Sequence, residues 1–225
     1  MNAIKGAPRS VVAREAQARA LVELGDGAGA QVEAARARAL GAPPSQTRAV
    51  MAQALLLQGD AAAALKEARA ADVPDSDLDM AARVIARAAM AQGDMAGAQK
   101  ALVNALAIAP DDAENWVELG RFRLATGDQA GAIAAADRAV ALNPADARAL
   151  TLRGELTRAQ YGLTASLPWF DRALAVRPDS IPTMEQYAAT LADAGSASAM
   201  LALTRRILAL DPANARAWMM QAVMA

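Results

Sequence analysis

Small and bulky apolar positions recur along this 225-residue chain with a period of 34. With unit starts at Val11, Ser45, Asp79, Ala113, Ala147, Ile181 and Ala215, the eighth place is always small. It holds Ala18, Ala52, Ala86, Gly120, Gly154, Ala188 and Ala222. The twentieth place holds Ala30, Ala64, Ala98, Ala132 and Ser166, then Met200. The twenty-seventh holds Ala37, Ala71, Ala105, Ala139 and Ala173, then Ile207. Small side chains at these places let two antiparallel helices approach closely, while bulkier neighbours fill the space between them.

Turn-forming residues keep the same period. Gly25, Gly59, Gly93, Gly127 and Gly195 fall at the fifteenth place, with Tyr161 in the fifth unit, and Asp26, Asp60, Asp94 and Asp128 follow the first four. Pro110, Pro144, Pro178 and Pro212 share the thirty-second place. The glycine supplies a left-handed residue that ends one helix, and the aspartate caps the next by accepting backbone N–H groups. The proline then ends that second helix. Each unit is predicted to be a helix hairpin that cannot bury its apolar face alone, so it needs stacked neighbours.

The fifth unit departs from the pattern. Tyr161-Gly162 shifts its turn, and Pro168 falls inside the expected second helix. That helix is predicted to start late, with Ser166 as N-cap and Pro168 in its first turn. The first two units lack the proline register and use Pro43-Pro44 and Pro74 instead. The organisation read from the period is an extension over 1–10, divergent units over 11–44 and 45–78, units over 79–112, 113–146, 147–180 and 181–214, and a further first helix over 215–225.

Composition agrees with helix. Apolar residues make up 55% of the chain but aromatic ones only 3%, and alanine, the commonest residue, has the best helix propensity. The net charge of −1 gives no field that attracts nucleic acid. Cysteine and histidine are both absent, which removes thiolate chemistry, disulfides, the commonest zinc ligands and the commonest general base. No run reaches the roughly 18 uninterrupted apolar residues of a membrane span. Asp75, Asp77 and Asp79 have alternate acidic spacing but lack the glycine and distant glutamate of a calcium loop, so they read as helix caps. The glycines are spread one per unit and form no phosphate-binding loop. The sequence offers no catalytic constellation, and no cofactor or metal is expected.

The unit over 113–146 carries Trp116, Leu119, Gly120, Ala132, Ala139 and Pro144, and the next carries Leu150, Gly154, Phe170, Ala173 and Pro178. In type and spacing these residues resemble the tetratricopeptide repeat family over about residues 11–225. Arg123 and Ala136 depart from its aromatic places, and Arg14 and Arg48 stand at its tryptophan place. The resemblance implies an all-α, right-handed α-solenoid of antiparallel helix-turn-helix repeats whose first helices line a concave groove. It places Arg19, Gln53, Met80, Arg83, Arg87, Met90, Glu114, Val117, Arg121, Leu124, Arg148, Glu155 and Arg158 on that face. The family's carboxylate clamp is missing, since the ninth place reads Arg19, Gln53, Arg87, Arg121, Glu155 and Ala189.

Arg83 and Arg87 share a helical face, and Arg121 lies one period beyond Arg87. With Met80, Met90, Leu124 and Arg158 they make a basic ladder with apolar flanks, suited to an acidic, partly apolar protein or peptide. The plainer alternative pairs these arginines with Glu114, Glu118 and Glu155. Trp116 and Trp218 share one place and read as core anchors, and Trp169 or Phe170 is expected to pack between units. The segment from Ala215 ends in Trp218, Met219, Met220, Val223 and Met224, which predicts either continuation of a longer protein or self-association through this apolar helix. The implied function is a non-catalytic scaffold or adaptor. Two other readings are a regulatory or targeting module of an enzyme encoded beyond Ala225, and a bacterial envelope-assembly factor. The compartment is cytoplasmic by default, or periplasmic if a leader has been removed.

Overall fold

The computed structural model describes residues 10–222. Among them are thirteen α-helices, one 3-10 turn and no strand. They fall into two compact units, divided between Pro110 and Asp111. The first holds α1 (Val11–Glu23), α2 (Gly27–Ala39), α3 (Pro44–Leu57), α4 (Ala61–Ala68), the 3-10 turn Asp75–Asp77, α5 (Leu78–Ala91) and α6 (Met95–Ile108). The second holds α7 (Ala113–Ala125), α8 (Gln129–Leu142), α9 (Ala147–Tyr161), α10 (Leu163–Val176), α11 (Ile181–Asp193), α12 (Ala197–Leu210) and α13 (Ala215–Ala222). The fold class is an all-α solenoid of helix hairpins. Of the expected extension over 1–10, residues 1–9 lie outside the described residues, as do Val223 and Met224.

Within each hairpin one short segment closes the first helix and opens the second. Gly25 has φ +80°, and its N–H donates to the Val22 carbonyl at 2.9 Å while the Asp26 N–H donates to Leu21 at 2.9 Å. This double bond pattern satisfies carbonyls that a helix end leaves unpaired. The carboxylate of the same Asp26 accepts the Gly29 N–H at 2.8 Å, capping α2. Asp60, Asp94 and Asp128 do the same at 2.9, 2.8 and 2.8 Å. The second helices stop two residues before each periodic proline. Ala109, Asn143, Arg177 and Asp211 all take φ between −130° and −138°, because a following proline disfavours helical backbone. Asp112 and Asp146 then cap α7 and α9.

The small places are the helix contacts. Ala18, Ala30, Ala37, Ala52 and Ala64 in the first unit are fully buried, as are Ala132, Ala139, Ala173 and Ala188 in the second. A β-carbon built on Gly120 would stand 2.8 Å from Leu152, and one on Gly154 would stand 2.9 Å from the Phe170 ring. Phe170 is itself wholly buried and stacks on Tyr187 with centroids 5.5 Å apart. It therefore packs between successive hairpins, as expected of one residue of the Trp169-Phe170 pair.

Four local expectations need correction. First, α10 begins at Leu163 and not near Ser166, with Pro168 inside it. Gly162, at φ +89°, is the single residue between α9 and α10, so there is no length for a loop. Leu167 packs on the core around Met184, and that burial outweighs one missing helix bond, while the Ser166 hydroxyl donates to the Leu163 carbonyl at 2.6 Å. Second, α4 ends at Ala68, which leaves Ala71 exposed in the connection; Val73 is buried there and must be extended ahead of Pro74. Third, Asp77 occupies an N-cap position but makes no capping bond, because its carboxylate is taken by Arg19. Fourth, Trp116 packs on the Val117 cluster as an anchor should, but Trp218 is 54% exposed. Its indole N–H donates to the Pro212 carbonyl at 2.9 Å.

The divergent hairpins of the first unit have an ionic substitute for the tryptophan anchor. Arg14 and Arg48 each reach a glutamate 19 residues on, Glu33 at 2.6 Å and Glu67 at 2.9 Å. Glu33 also takes Arg36 at 2.5 Å. Glu67 also takes Arg38 at 2.9 Å, and Arg48 continues to Asp72 at 2.9 Å. Burial alone would raise both glutamates, but the hydrogen bonds from their arginines outweigh it and hold both below 4.5. A depressed folded value stabilises the fold above the unfolded value and loses that contribution as pH falls through the folded one. Glu67→Gln should therefore destabilise the protein by about 1–3 kcal/mol at pH 7, between the costs of breaking exposed and buried pairs. Urea unfolding at pH 7 and pH 3 should show the deficit at the first and a smaller one at the second. An equal deficit at both would mean the lost term is packing, not charge.

Candidate functional site

In the first unit α1, α3 and α5 lie side by side, each backed by its own partner helix. Their outward residues form one surface. On α5, Met80, Arg83, Arg87 and Met90 follow a three–four spacing that keeps them on one face, and all four are half-buried. Arg83 donates to Asp79 at 3.0 Å. Arg19, on α1, grips both oxygens of Asp77 at 2.9 and 3.2 Å, and that carboxylate is only 8% exposed. Arg87 makes no hydrogen bond or ion pair among the described residues. Of the cations expected on this surface, Arg87 is thus the one available to something else.

In the second unit α7, α9, α11 and α13 are likewise adjacent in order. Cross-helix pairs tie most of their charges. Arg148 pairs with Glu114, and Arg158 with Asp193, while the Thr190 hydroxyl accepts from Arg158 at 3.3 Å. Arg216 reaches Glu185 at 3.5 Å. Arg158 is therefore paired within the unit, but to Asp193 and not to Glu114, Glu118 or Glu155, and Glu114 pairs with Arg148.

Arg121 and Leu124 are left on α7. Leu124 is exposed, and Arg121 forms no hydrogen bond or ion pair among the described residues. Glu155 holds the equivalent place on the neighbouring α9. Burial pushes its carboxyl up from the usual 4.5, against the opposing pull of Arg121 and Arg216. The surface is therefore a cation beside a carboxylate that is poorly hydrated and unpaired. Sequence spacing located both residues, but not the burial that separates Glu155 from the other acids.

Trp169 and Tyr187 are partnered, whereas Tyr161 is exposed. Trp169 lies under the guanidinium groups of Arg153 and Arg172, 5.4 and 4.8 Å from its ring centroid. The Tyr187 hydroxyl donates to Asp171 at 2.7 Å, and burial together with that bond raises it to about 12. Among the described residues no group of three or more acidic side chains is placed to hold a metal ion, and no helix is long and apolar enough to cross a membrane. Trp218 and Met219 are exposed on α13.

Paired antiparallel helices, turned by one glycine-aspartate corner and stacked through alanine, define a helical-repeat protein. The family model for the tetratricopeptide repeat matches residues 89–156, and that stretch carries the repeat. Two solved structures share the fold. One, a thermophilic TPR protein of Thermus thermophilus, is 20% identical with TM-score 0.69, over 81% of this chain and 99% of that one. The other is a crystal structure of the APC/C hetero-tetramer Cut9-Hcn1, 15% identical with TM-score 0.68. That match covers 96% of this chain, which spans only 43% of the chain it matches. No curated protein matches.

A raised carboxyl has a defined effect on stability. Folding favours the protonated Glu155, so the charged form costs stability above the folded value, and the cost disappears as pH falls through it. Glu155→Gln should raise the thermal midpoint at pH 7, and the gap from the native protein should close in acid. Circular-dichroism melts across that range check the sign, and a lower midpoint at pH 7 would show that Arg121 and Arg216 outweigh burial.

Proposed function

We propose that this protein is a non-catalytic scaffold that docks an acidic, partly apolar protein segment on its first helices. The observation carrying this reading is selective neutralisation. Carboxylates of the protein engage Arg19, Arg83, Arg148, Arg158 and Arg216, whereas Arg87 and Arg121 have no such partner among the described residues. Each of these two lies beside apolar side chains, Met80 and Met90 on α5 and Leu124 on α7. A half-buried guanidinium flanked by thioether or leucine gives a carboxylate two donors in a fixed fork, with apolar surface for the adjoining residue. Methionine adapts to ligands of varied shape.

The repeat family supports a scaffold over an enzyme, since its members generally bind proteins and do not catalyse reactions. The absence of histidine and cysteine supports the same reading, because an enzyme here would need carboxylates, lysine or tyrosine for proton transfer.

Arg87→Glu and Arg121→Glu should each weaken binding of a peptide of alternating aspartate and leucine about tenfold, or 1.4 kcal/mol. The double variant should keep the helical circular-dichroism signal and lose capture of both this peptide and the partner retained from lysate of the source cell. Arg158→Ala should change the affinity less than twofold. Undiminished capture by the double variant rejects the basic-face reading.

A further inference from the structure

Glu155 has no role in the packing described so far. It lies on the ninth place of α9, beside α7, where Arg121 holds the ninth place of the preceding hairpin. It is half-buried and forms no hydrogen bond or ion pair among the described residues. A carboxylate so placed is costly to leave charged and unpaired.

The charges on the helices packed against α9 account for this isolation. On α7, Glu114 is taken by Arg148, Glu118 makes no bond or ion pair among the described residues, and Arg121 acts on Glu155 through space. On α8, Asp137 binds Arg153 at 2.6 Å, and Arg138 binds Asp111 at 3.0 Å. On α10, Asp171 accepts from Tyr187 and Arg172 covers Trp169. On α11, Asp193 holds Arg158, and Glu185 takes Asn214 at 3.0 Å and Arg216. Arg216, at the start of α13, is the second cation acting on Glu155, but it is shared with Glu185.

From this arrangement we infer that Glu155 is a built-in counter-charge to Arg121, which an acidic partner must overcome, and that its protonation admits that partner. The inference rests on the acidic-partner reading of the second unit and adds its regulation. While Glu155 is charged, it lowers the potential around Arg121 and repels an approaching carboxylate. Once protonated, it does neither, and Arg121 faces the partner with its full charge. The proton taken up by Glu155 is therefore linked to binding, so acidification strengthens the complex. Burial places that uptake above the range where a partner's own exposed aspartates, ordinarily near about 3.9, lose their charge.

Two measurements test the idea separately from the reading beneath it. In the first, a rhodamine-labelled peptide of alternating aspartate and leucine is titrated with the whole chain at pH 7.5 and 5.5. The native protein should bind more tightly at pH 5.5 than at pH 7.5. Glu155→Gln should bind more tightly than the native protein at pH 7.5 and gain less on acidification, and Arg121→Gln should remove the gain. A Glu155→Gln variant that keeps the native pH dependence overturns the counter-charge, whereas no peptide binding by any variant at either pH overturns the acidic-partner reading and the inference with it.

The second needs no ligand. The Glu155 side-chain carboxyl, assigned by its loss in Glu155→Gln, is followed by carbon NMR against pH. Arg121→Gln should move its midpoint upward, because the opposing cation has gone. An unmoved midpoint shows that the two charges are not coupled and overturns the inference even if the peptide binds.

Discussion

Two helix backbones can approach to about 8 Å only where the side chains between them are small, and the first five repeats supply small residues at three places, with Met200 and Ile207 taking two of them in the sixth. At the eighth place alanine or glycine removes the obstruction, and at the twentieth and twenty-seventh places of those five repeats alanine or Ser166 does so, apart from Ala71, which lies exposed in a connection. Where the glycines of the eighth place stand, Leu152 and the Phe170 ring fill the space that a β-carbon would need. Gly120 thus receives bulk from the next hairpin, and Gly154 from the second helix of its own. Within each unit the first helices are held side by side as a result, and the residues opposite that contact become an outward surface.

Much of this is legible in the sequence because its causes are local. A glycine that must take positive φ, an aspartate that must receive the following N–H groups and a proline that must end a helix are all one-dimensional signals. Pro168 misleads for the opposite reason. Its cost is local, but the compensation comes from Leu167 packing against helices later in the chain, and no spacing rule reports that burial. Trp218 misleads similarly: position alone equates it with Trp116, but exposure depends on what lies against it.

Arg14 and Arg48 show a different kind of blindness. Taken one position at a time, they are departures from a tryptophan place and make the first two hairpins look weak. In the structure each meets a glutamate 19 residues later, so an apolar anchor between the paired helices has been exchanged for an ion pair at the same junction. Glu33 and Glu67 stand where the later hairpins have Ala101, Ala135 and Trp169. Arginine and glutamate at that spacing occur in both divergent hairpins and in neither of the next two. The signal is present in the sequence, but it emerges only when a position is compared along the chain together with its partner.

For the candidate surface, sequence can say which arginines share a face but not which are already satisfied. That distinction depends on carboxylates contributed by other helices: Asp77 reaches Arg19 from 58 residues away, and Asp193 reaches Arg158 from 35. Neutralising one arginine leaves its neighbour more distinct. An exposed ion pair adds little to stability, but it removes a charge from the set a partner can read. In the proposed reading, the exposed pairs would thus bear on recognition more than on folding, by leaving fewer unpaired cations within each unit. The proposal for Glu155 extends this logic, because Glu155 acts on Arg121 without a formed ion pair. A charge held off by distance can be outcompeted in a way that a formed bidentate pair cannot, so a surface of the proposed kind would be restrained and still responsive.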